Sequence, residues 1–376
     1  MTAYLDIHNH LHQSALRPQL DALLNSLPRA LLVTASADAT DWEAQRLLAQ
    51  KYEKRIFCCL GMHPQVALEQ MARLGPAAWA NILTSSIDAL RRALQSTPSV
   101  VGVGEIGLDR ALQRHAWQRF TQHRAQQNSV PPASSIFTEG KTCLPARSEL
   151  TQELLKEAQL ELLRAQLRLA RQLGLPVVLH CVKAHGALLE ELRNCPPGGG
   201  ILHGFYGSIE ALREYLRLGL YVSPNYQQLI TSHPAQAEVV SNACAPSNAC
   251  AKSNACAKSS ACAESNACAE SSACAPSNAC AKSSACAKSN ACAKSNACAK
   301  SNACASSNAY WRSWARAVPL ERLVLESDSC TKSDGSPTPP RDIRRAAQML
   351  SDYYECAASD IEEAAFNNGR ACLQLP

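Results

Sequence analysis

The stretch ELTQELLKEAQLELLRAQLRLARQLGLPVVLH spans residues 149–180. Its apolar residues over 149–173 recur at helical spacing, and Gly174 and Pro176 follow as stop signals, so an amphipathic helix is predicted there. The helix runs into PVVLH (176–180), a short apolar run of the kind that forms a buried strand, and that run ends in a histidine. Working outward, the same alternation recurs. Strand-like runs fall at 4–8, 29–34, 55–60, 100–105, 176–180, 200–204, 219–223 and 322–327. Helical patterns lie near 18–27, 41–52, 77–94, 184–193, 208–218 and 340–355, and a seventh is split into HPAQAEVV and YWRSWARAV. Eight alternating units predict an α/β fold, a (β/α)8 TIM-type barrel whose functional groups sit at the C-terminal ends of its strands. A doubly wound sheet is the alternative, and the lack of a GxGxxG after the first strand counts against it.

Two insertions interrupt this pattern, so residues 1–376 are expected to form a single barrel carrying both. Residues 113–148 are polar, broken by Pro131, Pro132 and Pro145, and read as an irregular surface insertion. Residues 241–309 hold eleven copies of S-[NS]-A-C-A-x, over 241–306. With no large apolar side chains they bury too little surface to offset ordering entropy, and the tract is expected to be disordered. A hexapeptide β-solenoid is conceivable, but Ala and Cys would make a poor core.

The tract also distorts the composition. It carries six Lys, two Glu and eleven of the 19 cysteines; the remainder has 31 Lys+Arg against 30 Asp+Glu. A near-neutral body excludes a protein that coats nucleic acid by charge alone, so any such contact is local to a site. No CxxC pair, amino-terminal targeting pattern or membrane-length apolar run occurs, which predicts a reduced intracellular protein, cytoplasmic with nuclear entry left open. Nothing in the sequence demands a membrane or an obligate protein partner.

What ends each strand carries the chemistry. YLDIHNHLH (4–12) brings Asp6, His8 and His10 to one side of an extended strand. CLGMHP supplies His63, GVGEIGLD supplies Glu105 and Asp109, VVLHC His180, ILHGF His203 and LESDS Asp328. Each has an ordinary reading singly: a turn cap, an ion pair, a hydrogen-bonded core histidine, a helix N-cap. Together at one rim they are hard to explain as packing, because such residues are rarely buried unless paired or ligated. Four histidines and two carboxylates suit two divalent cations about 3.5–4 Å apart, and Zn, Mn or Mg would all serve.

LDIHNHL, GMHP, GEIGLD, PVVLH, LHGFYGS and LVLESDS, in this order and approximate spacing, resemble the TatD-type metal-dependent deoxyribonucleases of the amidohydrolase-like superfamily. The resemblance covers the chain outside the two insertions. It implies that His8, His10 and Asp328 hold one metal, His180 and His203 the other, and that Glu105 bridges them. It further implies two-metal hydrolysis of phosphodiester bonds in DNA, trimmed from a 3′ end, with Asp328 as general base and Glu105 in the catalytic set. His63 is a candidate phosphate contact, and Asp6 and Asp109 are candidates for orienting the ligating imidazoles.

Two departures bear on the substrate. HCVKAHG has Val182 where the family commonly has Arg, so Lys183 or His185 would have to grip phosphate instead. ESDSC keeps the aspartate of the last motif but loses the usual proline. The insertion at 113–148 leaves the active-site face just after Asp109. The enzymatic alternative is a metal-dependent hydrolase of another ester or amide, such as an aminoacyl-nucleotide ester or a small phosphodiester. A third reading, a binding scaffold whose repeats mediate assembly or metal buffering, is opposed by the intact set of six ligands.

Overall fold

The computed structural model describes residues 4–128, 150–232, 308–330 and 343–375. They fall into two units, Met1–Tyr226 with Ala315–Pro376, and Gln227–Trp314. The larger unit is built on seven parallel strands in sequential order: β1 (Leu5–Asn9), β2 (Leu31–Ala35), β3 (Ile56–Leu60), β4 (Val100–Asp109), β5 (Val177–Val182), β6 (Gly200–Phe205) and β7 (Tyr221–Pro224). A parallel neighbour requires a crossover, and helices supply it. These are α1 (Arg17–Ser26), α2 (Asp41–Lys51), α3 (Pro64–Leu74), α4 (Pro76–Ser96), α5 (Arg110–Asn128), α6 (Gln152–Leu173), α7 (His185–Asn194) and α8 (Ile209–Arg217). After β7 come α9 (Tyr226–Ser232), a helical run at 308–317, α10 (Ile343–Tyr354) and α11 (Ala358–Leu373). Of the smaller unit, Trp311 and Trp314 meet edge to face with ring centres 5.7 Å apart.

The expected eighth strand at 322–327 is not a regular strand, yet its segment closes the barrel. On one side Val324 N–H donates to Val222 O of β7. On the other, Ile7 N–H donates to Leu325 O, Asp328 N–H to His8 O and His10 N–H to Ser329 O. The ladder is broken because Ser327 N–H donates to the Asp6 carboxylate instead, at 2.9 Å, and Asp328 turns into the left-handed region at φ 48°. The sheet is therefore a (β/α)8-type barrel with one irregular stave.

Buried residues of β1, β2, β3, β5, β6 and the closing segment (Ile7, Val33, Phe57, Val178, Ile201 and Val324 among them) join Leu373 and Leu375 in one apolar cluster. This fills the barrel as layered side chains do in such folds. Along the chain the site follows it: His8 after Ile7, His180 after Val178, His203 after Ile201. Helix α11 approaches β1 so closely that a Cβ at Gly369 would lie 2.7 Å from Leu5 and 2.8 Å from Ile7.

Helix α6 shows how sequence sets local form. The Thr151 hydroxyl accepts from Leu154 N–H at its start, and Gly174, at φ 66°, ends it in a left-handed cap. Its buried face holds Leu155, Leu162, Leu163 and Leu167, but also Gln159 and Gln166. Helix α5 departs from the irregular insertion expected at 113–148: residues 110–128 are helical. Its apolar residues Leu112, Ala116, Trp117 and Phe120 are sparse among charged and amide neighbours, and Asp109 caps it by accepting Leu112 N–H at 2.8 Å. Residues 129–149 and the hexapeptide tract lie outside the described residues. Among the described residues no helix is long and apolar enough to cross a membrane.

Candidate metal centre

Glu105, on β4, stands at the middle of the strand ends. Its Oε1 lies 2.7 Å from His180 Nδ1 on β5, 2.7 Å from His203 Nε2 on β6 and 3.8 Å from His63 Nε2. Its Oε2 lies 3.6 Å from His8 Nε2 and 3.5 Å from His10 Nε2. Asp328 Oδ1 faces the same two imidazoles, 3.8 Å from His8 and 4.0 Å from His10. Five imidazoles and two carboxylates thus share one space. Glu105 is 4 % exposed and His8 fully buried, whereas the Asp328 side chain is 40 % exposed and faces the opening.

The electrostatics are those of a negative charge ringed by imidazoles. Burial pushes the Glu105 carboxyl up, but His203, His63 and His180 outweigh it and hold it well below the usual carboxylate range. Burial lowers His203 and His180, and Glu105 reverses both; His203 is held well above its ordinary value and His180 is raised. Burial drives His8 well below its ordinary value and His63 down to about 3, so both rings are neutral.

The donor set fits divalent cations on an observation independent of motif. Both ring nitrogens of buried His8 and Nδ1 of His10 have no hydrogen-bond partner among the described residues. Unmet buried polar atoms are costly, and a cation is what would satisfy the lone pair of His8 Nε2, the nitrogen that faces Glu105 and Asp328. Three overlapping groups have ligand atoms within 4.8 Å of one another: His8, His10 and Asp328; His8, Glu105 and His203; His63, Glu105 and His180. Nitrogen and carboxylate donors of this kind suit Zn, Mn or Mg.

The surroundings hold the cluster in place. Asp109 Oδ2 lies 3.2 Å from His180 Nε2, on the ring edge away from Glu105. Glu326 Oε1 accepts from Gly204 N–H at 2.7 Å and lies 3.5 Å from His203 Nδ1. Gln159 bonds both backbone groups of Asp109, and Gln166 both of Met62, the residue before His63. Asp6 differs from expectation: its carboxylate binds Ser327 N–H and Oγ–H and the Asn9 amide instead of an imidazole ring. The β1–β2 register shifts between Asp6 and Asn9, and Asp6 thereby ties β1 to the closing segment.

The remaining sequence candidates lie at the rim. His63 caps α3, its Nδ1 accepting from Gln65 N–H, while its Nε2 faces Glu105. Lys183 is exposed at φ 55°. His185 turns to Tyr215, Nδ1 to hydroxyl at 3.1 Å. Sequence reading passed over three further groups. Glu326 sits two residues before Asp328, a period-2 signal that could have found it. His12 is buried between Thr34 (2.6 Å) and Asp41 (3.1 Å). Tyr206, 50 % exposed, follows the His203 strand end.

A parallel barrel with histidines and carboxylates converging at its strand ends defines a metallohydrolase-type centre. The chain belongs to the family described as "TatD related DNase", matched over residues 5–246. It is similar to the uncharacterized metal-dependent hydrolase YjjV of Escherichia coli, 26% identical over 57% of this chain and 65% of that protein. It is also similar to the 3′-5′ ssDNA/RNA exonuclease TatD of Citrobacter koseri, 30% identical over 46% of this chain and 49% of that one. The chain thus spans between about half and two thirds of the length of these relatives. The crystal structure of Escherichia coli YJJV superposes with a TM-score of 0.54, covering 99% of this chain and 98% of that one at 19% identity, a likeness of fold.

Proposed function

We propose that the protein is a metal-dependent hydrolase of phosphodiester bonds in nucleic acid, acting from a 3′ end as a two-metal exonuclease. The observation that carries the reading is the Glu105 carboxylate within 4 Å of five imidazoles, with Asp328 facing two of them across the opening. Family membership supports it, as does the likeness to the 3′-5′ ssDNA/RNA exonuclease of Citrobacter. His8, His10 and Asp328 would hold one ion and His180 and His203 the other, with Glu105 between them and His63 within reach of the second. When bound, such ions polarise a phosphoryl oxygen and lower the pKa of water.

The protein's own groups supply the rest. Asp328 is the one carboxylate of the set with solvent access, so it orients the attacking water and accepts its proton. Asp109 fixes the His180 ring, and Glu326 fixes the strand end that carries His203. His63, whose Nε2 faces Glu105, would contact the reacting phosphate.

The test is digestion of an end-labelled single-stranded oligonucleotide with added Mg, Mn or Zn. Chelator-sensitive release of nucleotides from the 3′ end is expected, abolished in Glu105→Gln and reduced at least a hundredfold in Asp328→Asn. Undiminished cleavage in either variant refutes the proposal. A panel including aminoacyl and nitrophenyl esters identifies a hydrolase of another class.

A further inference from the structure

Beside the metal centre lies a pocket of about 230 Å3, lined by Leu108, Arg110 and Gln113, by Lys156 and Gln159 of α6, and by residues 183–187 where β5 turns into α7. Three of its lining side chains, Arg110, Lys156 and Lys183, are cationic, and none is acidic. Arg110 and Lys183 make no ion pair among the described residues. Lys156 pairs with Glu153 at 2.8 Å, on the helix turn before it. That partner holds the Lys156 ammonium up while the like charge of Arg110 works against it, so the two cations are close enough to repel. Three cations at a concave surface, of which Glu153 pairs one and neither Arg110 nor Lys183 has an ion-pair partner among the described residues, leave a net positive charge that favours an anion there. Helix α7 adds to this. It begins at the pocket, and its N-cap, Ala184, offers no side chain to its first N–H groups.

The position relative to the reacting centre narrows the anion. Leu108 and Arg110 flank Asp109, whose carboxylate lies 3.2 Å from His180, itself 2.7 Å from Glu105. Gln159 lines the pocket and holds both backbone groups of Asp109. The pocket and the metal centre are therefore neighbours at one end of β4 and β5. Its volume falls short of the roughly 300 Å3 at which drug-sized ligand sites begin, which suits a phosphate with part of its sugar better than a whole nucleotide.

We infer that the pocket of Arg110, Lys156 and Lys183 binds a second, non-reacting phosphate of the substrate, adjacent to the one at the metal centre. The inference rests on the nuclease reading and deepens it. It makes a chain of at least two phosphates the preferred substrate and provides the phosphate grip that Val182 does not.

The test compares three substrates: a trinucleotide, the same trinucleotide with a terminal 5′ phosphate, and bis(4-nitrophenyl) phosphate, which has no second phosphate. The Arg110→Gln/Lys156→Gln variant is expected to raise KM for the trinucleotide about tenfold relative to that for the nitrophenyl diester. Arg110→Lys restores most of the loss. A penalty seen with both trinucleotides assigns the pocket to the internal diester next to the reacting one; a penalty seen only with the terminally phosphorylated trinucleotide, whose monoester lies one phosphate further on, overturns the adjacency. An equal loss on all three substrates, or none, overturns the inference.

A second arm needs no turnover. A fluorescent oligonucleotide is titrated in chelator at several salt concentrations, and the slope of log affinity on log salt is expected to fall by roughly 0.7 for each phosphate contact removed. An unchanged slope overturns the inference. If the wild type cleaves no phosphodiester, the nuclease reading fails, and this arm alone still decides whether the pocket takes phosphate.

Discussion

Gly107 lies in GEIGLD, opposite His180 in the β4–β5 pairing. A Cβ there would stand 1.9 Å from the His180 carbonyl oxygen, 2.8 Å from its carbon and 2.9 Å from its nitrogen. Ordinary contact begins near 3.4 Å, so Gly107→Ala forces the two strands about 1.5 Å apart at that point. The atoms in the way are backbone, which no rotamer change relieves. Overpacking costs about 1–3 kcal/mol, and a side chain at φ 156° adds about 1–2 kcal/mol, giving roughly 2–5 kcal/mol in all. At about 2 °C per kcal/mol, Tm falls by about 4 °C or more. The same movement carries His180 away from Glu105, and a misplacement of about 1 Å costs on the order of a hundredfold in rate. Gly174→Ala is the control: its φ of 66° imposes strain, yet nothing lies within 4 Å of the added methyl, so about 1 kcal/mol and no change in metal content are expected. The assay is thermal unfolding beside elemental analysis of the purified variants. A Gly107→Ala protein that melts within about 1 °C of wild type and keeps its metal would refute the argument that close strand approach sets the His180–Glu105 distance.

Further expectations follow from the same contacts. Gln166→Ala leaves the Met62 N–H and C=O without partners, at a cost of about 1–3 kcal/mol for each group, and denaturant titration should show a loss of that order; no change would mean that water replaces the amide. Glu105→Gln removes the one group common to all five imidazoles, so metal per chain measured after dialysis should drop by at least half. Tyr206→Ala removes an exposed ring at the rim, and binding of single-stranded oligonucleotide should weaken about 5- to 150-fold if a base stacks there. Deleting residues 241–306 should leave turnover intact, since the described ligands all lie outside them; loss of activity would make the tract part of the enzyme.

The barrel was legible because its strands carry a local signature, short apolar runs bounded by turns, and because the polar residue ending each run stands out against them. His8, His10, Glu105, His180, His203 and Asp328 all stand out that way, and the structure brings the six together. What escaped depends on partners distant in sequence. Gln159 and Gln166 look like flaws in the apolar face of α6 until the Asp109 and Met62 backbones are seen to need them. Helix α11 contains Asn367, Asn368 and Gly369, all poor helix formers, yet Gly369 is there because β1 comes too close for any side chain. Helix α5 has only a sparse apolar stripe, Leu112, Ala116 and Phe120, and it runs on into a polar segment that obscures it. The eighth strand was expected to be regular, but Asp6 claims the Ser327 N–H, and the backbone turns at Asp328 to deliver its carboxylate.

The closing stave joins segments far apart along the polypeptide: backbone of Ile7, His8 and His10 bonds to Leu325, Asp328 and Ser329. On a ribosome adding about 5–20 residues per second, the first ligand precedes the last by roughly a quarter of a minute to a minute. A message that loses its reading frame within the hexapeptide codons yields a product with five of the six ligands and no residue to seal the ring. Such a product is inert, so an intact carboxyl-terminal third is a condition for any activity at all.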